Sequence, residues 1–130
     1  MDCNLLISMS LPNHVHHAAS MRWLKQIGNA PLALCAITQS ALIRQLLRKF
    51  PTPGIANAQT LLRAVKAWPN CEFWPDTLSY ADIDLGGVIG HKQVTDAYLA
   101  GLAKSKNAKL ATFDRGLAAL RPDVVCLVPV

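Results

Sequence analysis

A chain of 130 residues with 52% hydrophobic and 16% charged residues is long enough for one packed domain and too apolar to be disordered. Aromatics make up only 6%, so the core is aliphatic and Ala-rich, which favours helices packed on a sheet over a β-sandwich. The formal charge of +5 favours a polyanionic partner, nucleic acid first and a membrane surface second.

The elements follow from Pro, Gly and apolar spacing. The N-terminal Met-Asp has no basic region, so it is a poor signal peptide. "NLLISMS" is apolar and ends at Leu11-Pro12. In "NHVHHAASMRWLKQIGN", Val15, Ala18, Ala19, Trp23 and Ile27 share a helical face. Asn13 is its expected cap, and Gly28-Asn29 its stop. The longest apolar run, around "LALCAI", is far too short to span a membrane. "ITQSALIRQLLRKF" reads as a second helix ended by Pro51 and Pro53, and "IANAQTLLRAVKAW" as a third ended by Pro69.

Beyond Pro69 the period changes. "CEFW" (Cys71 to Trp74) reads as a short strand, "TDAYLAGLAKSK" as a helix, "KLATF" as a strand, "RGLAAL" as a short helix and "VVCLV" as a last strand. Strands alternating with helices imply a short parallel sheet covered on both faces. The expectation is one three-layer α/β/α domain over residues 1–130. Cys3, Cys35, Cys71 and Cys126 form no CxxC pair and sit among apolar residues. They read as reduced core cysteines of a cytoplasmic protein without a membrane segment.

In an open parallel sheet, ligands bind beyond the carboxyl ends of the strands. Asp114 stands at such an end in "KLATFDRGL", Asp96 opens the preceding helix, and Asp2 stands just ahead of "NLLI". Each acid also has a plain structural reading. Asp96 and Asp114 suit helix starts, where a carboxylate offsets the dipole and bonds free N–H groups, and Asp2 suits a solvated terminus. Glu72, Asp76, Asp82, Asp84 and Asp123 read as solvated loop or strand-edge acids. "HVHH" (His14 to His17) lacks the further ligands zinc requires. Trp23, Trp68 and Trp74 read as core residues rather than base-stacking platforms.

Taken together, "TDAYLAGLA", a basic linker and "KLATFDRGL" resemble the C-terminal half of PIN-domain ribonucleases, most closely the VapC-type toxins of bacterial toxin–antitoxin pairs. "MDCNLLISMSLPNHVHHAASMRWL" resembles the family's opening, with its Asp-x-Asn, and "ALCAITQSALIRQLL" its second acidic segment. "FWPDTLSYADIDL...GHKQVTDAYL" resembles the approach to its third acid. The order covers essentially the whole chain. The resemblance implies a PIN-like fold and catalytic, metal-binding acids at Asp2, Asp96 and Asp114. The family's second acid, usually Glu, falls on Gln39, a neutral amide whose carbonyl oxygen still accepts or ligates. Only Met1 precedes the first acid, where the family has a short apolar strand, so the central strand is expected to be short.

The resemblance further implies a Mg²⁺- or Mn²⁺-dependent endoribonuclease toxin that cleaves structured RNA such as tRNA or rRNA, pairs with a cognate antitoxin and forms a homodimer. Hard cations of this kind take oxygen ligands, which explains the carboxylates. Asn4 and Thr112 flank two acids and suit orienting roles, while Arg44 and Arg115 suit RNA phosphates. Two other readings stand beside this one. Gln39 suits a catalytically weakened PIN domain that serves as an RNA- or antitoxin-binding module. A flavodoxin-type binder of a small ligand lacks its glycine-rich phosphate loop.

Overall fold

The computed structural model describes residues 1–50 and 54–130. The stop assigned to Pro51 and Pro53 lies outside the described residues. Six helices and four short strands occur among them: α1 (Cys3–Ser10), α2 (His17–Ile27), β1 (Leu32–Leu34), α3 (Ala36–Lys49), α4 (Ile55–Lys66), β2 (Cys71–Phe73), α5 (Val94–Ser105), β3 (Leu110–Thr112), α6 (Arg115–Leu120) and β4 (Val125–Leu127). Short 3-10 turns at Tyr80–Asp82 and His91–Gln93 flank the loop ahead of α5.

The strands are parallel, as the alternating pattern implied, and they form two pairs. Leu32 lies opposite Cys71 in β1–β2, and Leu110 opposite Val125 in β3–β4. The first two residues join the pairs. The Met1 nitrogen donates to the Ala33 carbonyl at 3.0 Å, and the Asp2 N–H to the Ala111 carbonyl at 3.0 Å. Parallel ladders alternate the direction of their main-chain groups, so Ala33 and Ala111 face this junction while their neighbours bond to β2 and β4. The short central strand expected ahead of α1 is thus reduced to Met1 and Asp2.

Helix α1 explains where the core lies. Leu5, Leu6, Ile7, Ser8 and Met9 are all buried, so this helix is enclosed on every side rather than amphipathic. Leu5 and Met9 pack with Trp23, Ala111 and Val128, while Leu6 and Ile7 pack with Leu34, Leu42 and Leu46. Tyr98, Leu99 and Leu102 of α5 meet Leu110, Leu117 and Val125 in a third cluster. Burying one such leucine contributes about 1.5–3 kcal/mol. The Ser8 hydroxyl, fully buried, donates to the Leu5 carbonyl at 2.8 Å, which removes the cost of an unpaired polar atom.

The structure corrects two local expectations. Helix α2 begins at His17 with His16 at its cap, not at Asn13. Successive turns from Leu11 to His14 and from His14 to His17 occupy that segment, and the His14 ring accepts the His16 N–H at 3.1 Å. The stop falls where expected, at Gly28, whose φ of 58° suits glycine. Cys126 is exposed, because it occupies the outward position of β4 between Val125 and Leu127. The tryptophans pack as expected: Trp23 is buried, and Trp68 and Trp74 lie against the core clusters. No helix among the described residues is long and apolar enough to cross a membrane.

Candidate active site

The site is built around one buried hydroxyl. Thr112 ends β3 with no exposed surface. Its Oγ1 donates to Asp2 Oδ2 at 2.5 Å and accepts the Asp114 N–H at 3.0 Å. Asp2 is itself buried and caps α1, its Oδ1 accepting the Cys3 N–H at 2.6 Å. Main chain and side chain therefore both tie Asp2 to β3. Asp114 is the cap of α6, with Oδ1 accepting the Leu117 N–H at 2.9 Å. That bond uses one carboxylate oxygen and leaves Asp114 exposed. Asp96 lies half-buried in the first turn of α5.

The charges of these acids act on one another. Burial pushes Asp96 up to about 6 from its ordinary 3.8, and the charges of Asp2 and Asp114 push in the same direction. Burial also raises Asp2. The Thr112 and Cys3 hydrogen bonds pull it back, and the Asp114 charge adds to the rise. Asp2 also feels the Met1 ammonium, which pulls it down. Beside them the Cys3 thiol is pushed up to about 12, first by burial and then by Asp2 and Asp96. It stays protonated and inert.

A cavity of about 170 Å³ opens on Asp96 and Asp114 and is otherwise lined by Gly87, Gln93, Ala97, Gly116, Leu117, Leu120 and Arg121. A larger cavity of about 400 Å³ lies elsewhere, between β1 and β3, lined mainly by apolar residues such as Trp23, Leu34, Leu99 and Leu110. Its one acidic lining residue is Glu72. Among the described residues no three His, Cys, Asp or Glu side chains form a ready cage for a metal ion. The carboxylates are an open set.

The other candidates scatter. Asn4 is exposed on the first turn of α1. Gln39 is half-buried in the second turn of α3, and its Nε2 is buried with no hydrogen-bond partner. Arg44 is exposed and donates to Ser40 Oγ at 2.5 Å, one turn earlier on the same helix. Arg115 is exposed at the start of α6. The histidines disperse: His17 bonds to the Ser8 carbonyl, and the His16 ring lies 4.9 Å from that of Phe113. Sequence reasoning missed Arg121, a buried cation whose bonds reach the loop ahead of α5. Its only sequence signal is an arginine in an otherwise apolar stretch.

Comparison with known proteins bears on the family. Residues 1–121 match the family described as PIN domain. The chain is 45% identical over 129 residues to Ribonuclease VapC29 of Mycobacterium tuberculosis, covering 99% of this chain and 95% of that protein. It is 38% identical over 128 residues to Ribonuclease VapC39 of the same organism, covering 91% of this chain and 89% of that protein. Ribonuclease VapC38 is 32% identical over 123 residues, with 92% and 87% covered. With parallel strands, acids gathered at the end of β3 and relatives matched along nearly their full length, this chain belongs to the PIN-domain family, among the VapC proteins.

Proposed function

We propose that this protein is a Mg²⁺- or Mn²⁺-dependent endoribonuclease acting as the toxin of a toxin–antitoxin pair, with Asp2, Asp96 and Asp114 as its catalytic, metal-binding acids. The observation that carries the reading is the convergence of the acids: Thr112 ties the Asp2 carboxylate to the Asp114 main chain, and Asp114 shares a cavity with Asp96, whose carboxyl is raised to about 6 by burial and by the charges of Asp2 and Asp114. The relatives carry the name ribonuclease, and the charge of +5 suits RNA as the substrate.

The donor set fits a hard divalent cation. It offers only carboxylate oxygens, the neighbouring thiol is protonated, and no lysine or arginine pairs with these acids, the Met1 ammonium beside Asp2 being the one cation acting on them among the described residues. Mg²⁺ keeps several of its waters and needs only one or a few protein carboxylates, so an open set suffices. When bound, such an ion supplies Lewis acidity toward a phosphodiester and acidifies a water.

The chain's own residues do the rest. Thr112 holds the Asp2 carboxylate in one orientation and fixes the main chain at Asp114. The Leu117 N–H holds one oxygen of Asp114 and so aims the other. Asp96, which makes no side-chain hydrogen bond among the described residues, would have both carboxylate oxygens free for a cation. Gln39 supplies an amide in place of a fourth acid. Turning that amide over presents its carbonyl oxygen from the buried, unpartnered position. Asn4 orients a water or ligand at the rim, and Arg44 and Arg115 meet the phosphates of a structured RNA such as tRNA or rRNA. A cognate antitoxin covers the site, and the toxin works as a homodimer.

A second reading has one observation in its favour. With Gln39 where an acid would stand, the site has one charge fewer for the metal, which suits a weakened domain that binds RNA or an antitoxin without cutting. One experiment separates the two. Purified protein is incubated with labelled tRNA and rRNA in Mg²⁺, in Mn²⁺ and in EDTA. The enzyme reading expects cleavage with either metal and none in EDTA. Tight RNA binding with no cleavage in either metal favours the binding module, and cleavage that persists in EDTA overturns the metal-dependent mechanism.

A further inference from the structure

The loop ahead of α5, Asp84–Gly90, reads "DLGGVIG" and carries three glycines. It has no regular structure, yet it is tied down at both ends. Arg121 is buried, and its Nη2 donates to the Asp84 carbonyl at 3.0 Å and to the Gly86 carbonyl at 2.7 Å. Its Nη1 donates to the Leu120 carbonyl at 3.2 Å, and Asp84 Oδ1 lies 3.7 Å from Nη2. At the far end Gln93 Oε1 accepts the N–H groups of Ile89 at 2.9 Å and Gly90 at 3.4 Å. In between, Gly87 has φ 78°, and a Cβ there would lie 2.4 Å from Leu120 Cδ1. The loop therefore lies against the chain on bare backbone.

The anchors are not arbitrary. Gln93 is the cap of α5, the helix that carries Asp96 in its first turn. Leu120 and Arg121 end α6, the helix that Asp114 begins. The loop is fastened to the two elements that hold these acids, and Gly87 lines the same 170 Å³ cavity as Asp96 and Asp114. The bare backbone of Gly87 is what lets the loop press against Leu120, and that close seat makes it one side of the cavity. A guanidinium suits the clamp, since one arm of its planar fork, Nη1, holds the Leu120 carbonyl while the other, Nη2, holds both loop carbonyls, and it keeps its charge at every working pH.

We infer that Arg121 is a positioning residue for the substrate: through its clamp on Asp84 and Gly86 it holds the glycine loop as the far wall of the cleft and sets the cleft's width for an RNA strand. This rests on the proposed ribonuclease reading. It differs from a purely structural role in what it governs. The wall touches substrate and not the acids, so loosening it weakens RNA binding while leaving the carboxylates and their cation affinity unchanged.

The test uses the full chain and two variants, Arg121→Lys and Asp84→Ala. Lysine keeps the charge but has no second nitrogen, so it cannot hold the Leu120 carbonyl and the loop carbonyls together as Nη1 and Nη2 do. Asp84 is exposed, so its loss frees the Gly86 N–H and the ion pair without threatening the core. Three quantities are measured on each protein: KM and kcat for RNA cleavage in Mn²⁺, RNA affinity by fluorescence anisotropy in EDTA, and Mn²⁺ affinity by calorimetry. The expected result is KM and the RNA dissociation constant both raised about fivefold or more in the two variants, with kcat and Mn²⁺ affinity unchanged, the pattern of lost uniform binding. Unchanged KM and RNA affinity in the folded variants would overturn the inference. A fall in kcat together with Mn²⁺ affinity would overturn it too, by showing that Arg121 acts on the acids. A wild-type protein that binds RNA without cutting it refutes the nuclease reading alone, and the anisotropy arm then decides the wall. A wild-type protein that neither binds nor cuts RNA refutes both.

Discussion

Neutralising Asp96 should make the metal-free protein more stable while destroying its metal-dependent activity. Its carboxyl is raised from 3.8 to about 6 by burial and by the charges of Asp2 and Asp114. That displacement corresponds to roughly 3 kcal/mol at 1.36 kcal/mol for each tenfold change. Asp96 is only half-buried, and solvent screening reduces the figure to about 1–1.5 kcal/mol. The sign follows from linkage. The folded state holds this proton more tightly than the unfolded state, so the acid's contribution is complete below about pH 4 and is lost as pH rises through 6.

Asp96→Asn removes that loss. At pH 7.5 in EDTA, the variant's melting temperature should exceed the wild type's by about 4–6 °C, at roughly 4 °C per kcal/mol for a chain of this size. Near pH 4 the difference should vanish, because the wild-type acid is then protonated. Saturating Mn²⁺ should reverse the order, since a ligand stabilises the state that binds it by about 2.7 kcal/mol at a hundredfold excess over its dissociation constant. The assay is thermal unfolding across this pH range, with and without metal. A variant less stable than wild type in EDTA at pH 7.5, or equally stabilised at every pH, would refute the idea that Asp96 is strained by its neighbours.

Thr112→Val keeps the shape of the buried side chain and removes the hydroxyl that serves both Asp2 and the Asp114 N–H; urea denaturation should show a loss of about 1–3 kcal/mol, and half-maximal cleavage should need more Mn²⁺. Gln39→Glu adds a charge where the family's second acid falls. Calorimetry should give about tenfold tighter Mn²⁺ binding, equal to about 1.4 kcal/mol, with cleavage gaining at limiting metal and little at saturation. Unchanged affinity would place Gln39 away from the cation.

The fold class was legible because its signals are long or punctuated. Helices α3, α4 and α5 carry apolar spacing over 12–14 residues, and β3 and β4 are short apolar runs bounded by polar residues and Pro. What escaped was short or non-local. Leu32–Leu34 is three residues long, too short to show a period. Helix α1 is buried on every face, so it lacks the polar stripe that marks a helix in sequence. Asn13 is a good capping residue, but local turns through His14 and His16 outcompete it. At the site the acids stood out by type and spacing, and Thr112 by adjacency. The clamp of Arg121 did not, because its partners lie 35 and 37 residues away and are main-chain carbonyls. Residue types carry no record of such bonds.

For each acid, helix capping and the proposed cation binding looked like competing explanations, and the geometry leaves room for both. Asp2 caps α1, Asp114 caps α6, and Asp96 stands in the first turn of α5, so three helix N-termini share the acids that share a site. A helix N-terminus favours a nearby carboxylate by about 0.3–1 kcal/mol. For Asp96 that is less than the burial and repulsion opposing its ionisation, because its carboxyl still ends near 6. The helices thus fix where the negative charges sit without neutralising them. The N–H that holds one oxygen of Asp114 also orients the carboxylate. The unbalanced charge is the part of the design that helix stability alone does not require. A cap needs one acceptor and gains nothing from two more acids beside it, whereas the divalent cation proposed for this site would gain from all three.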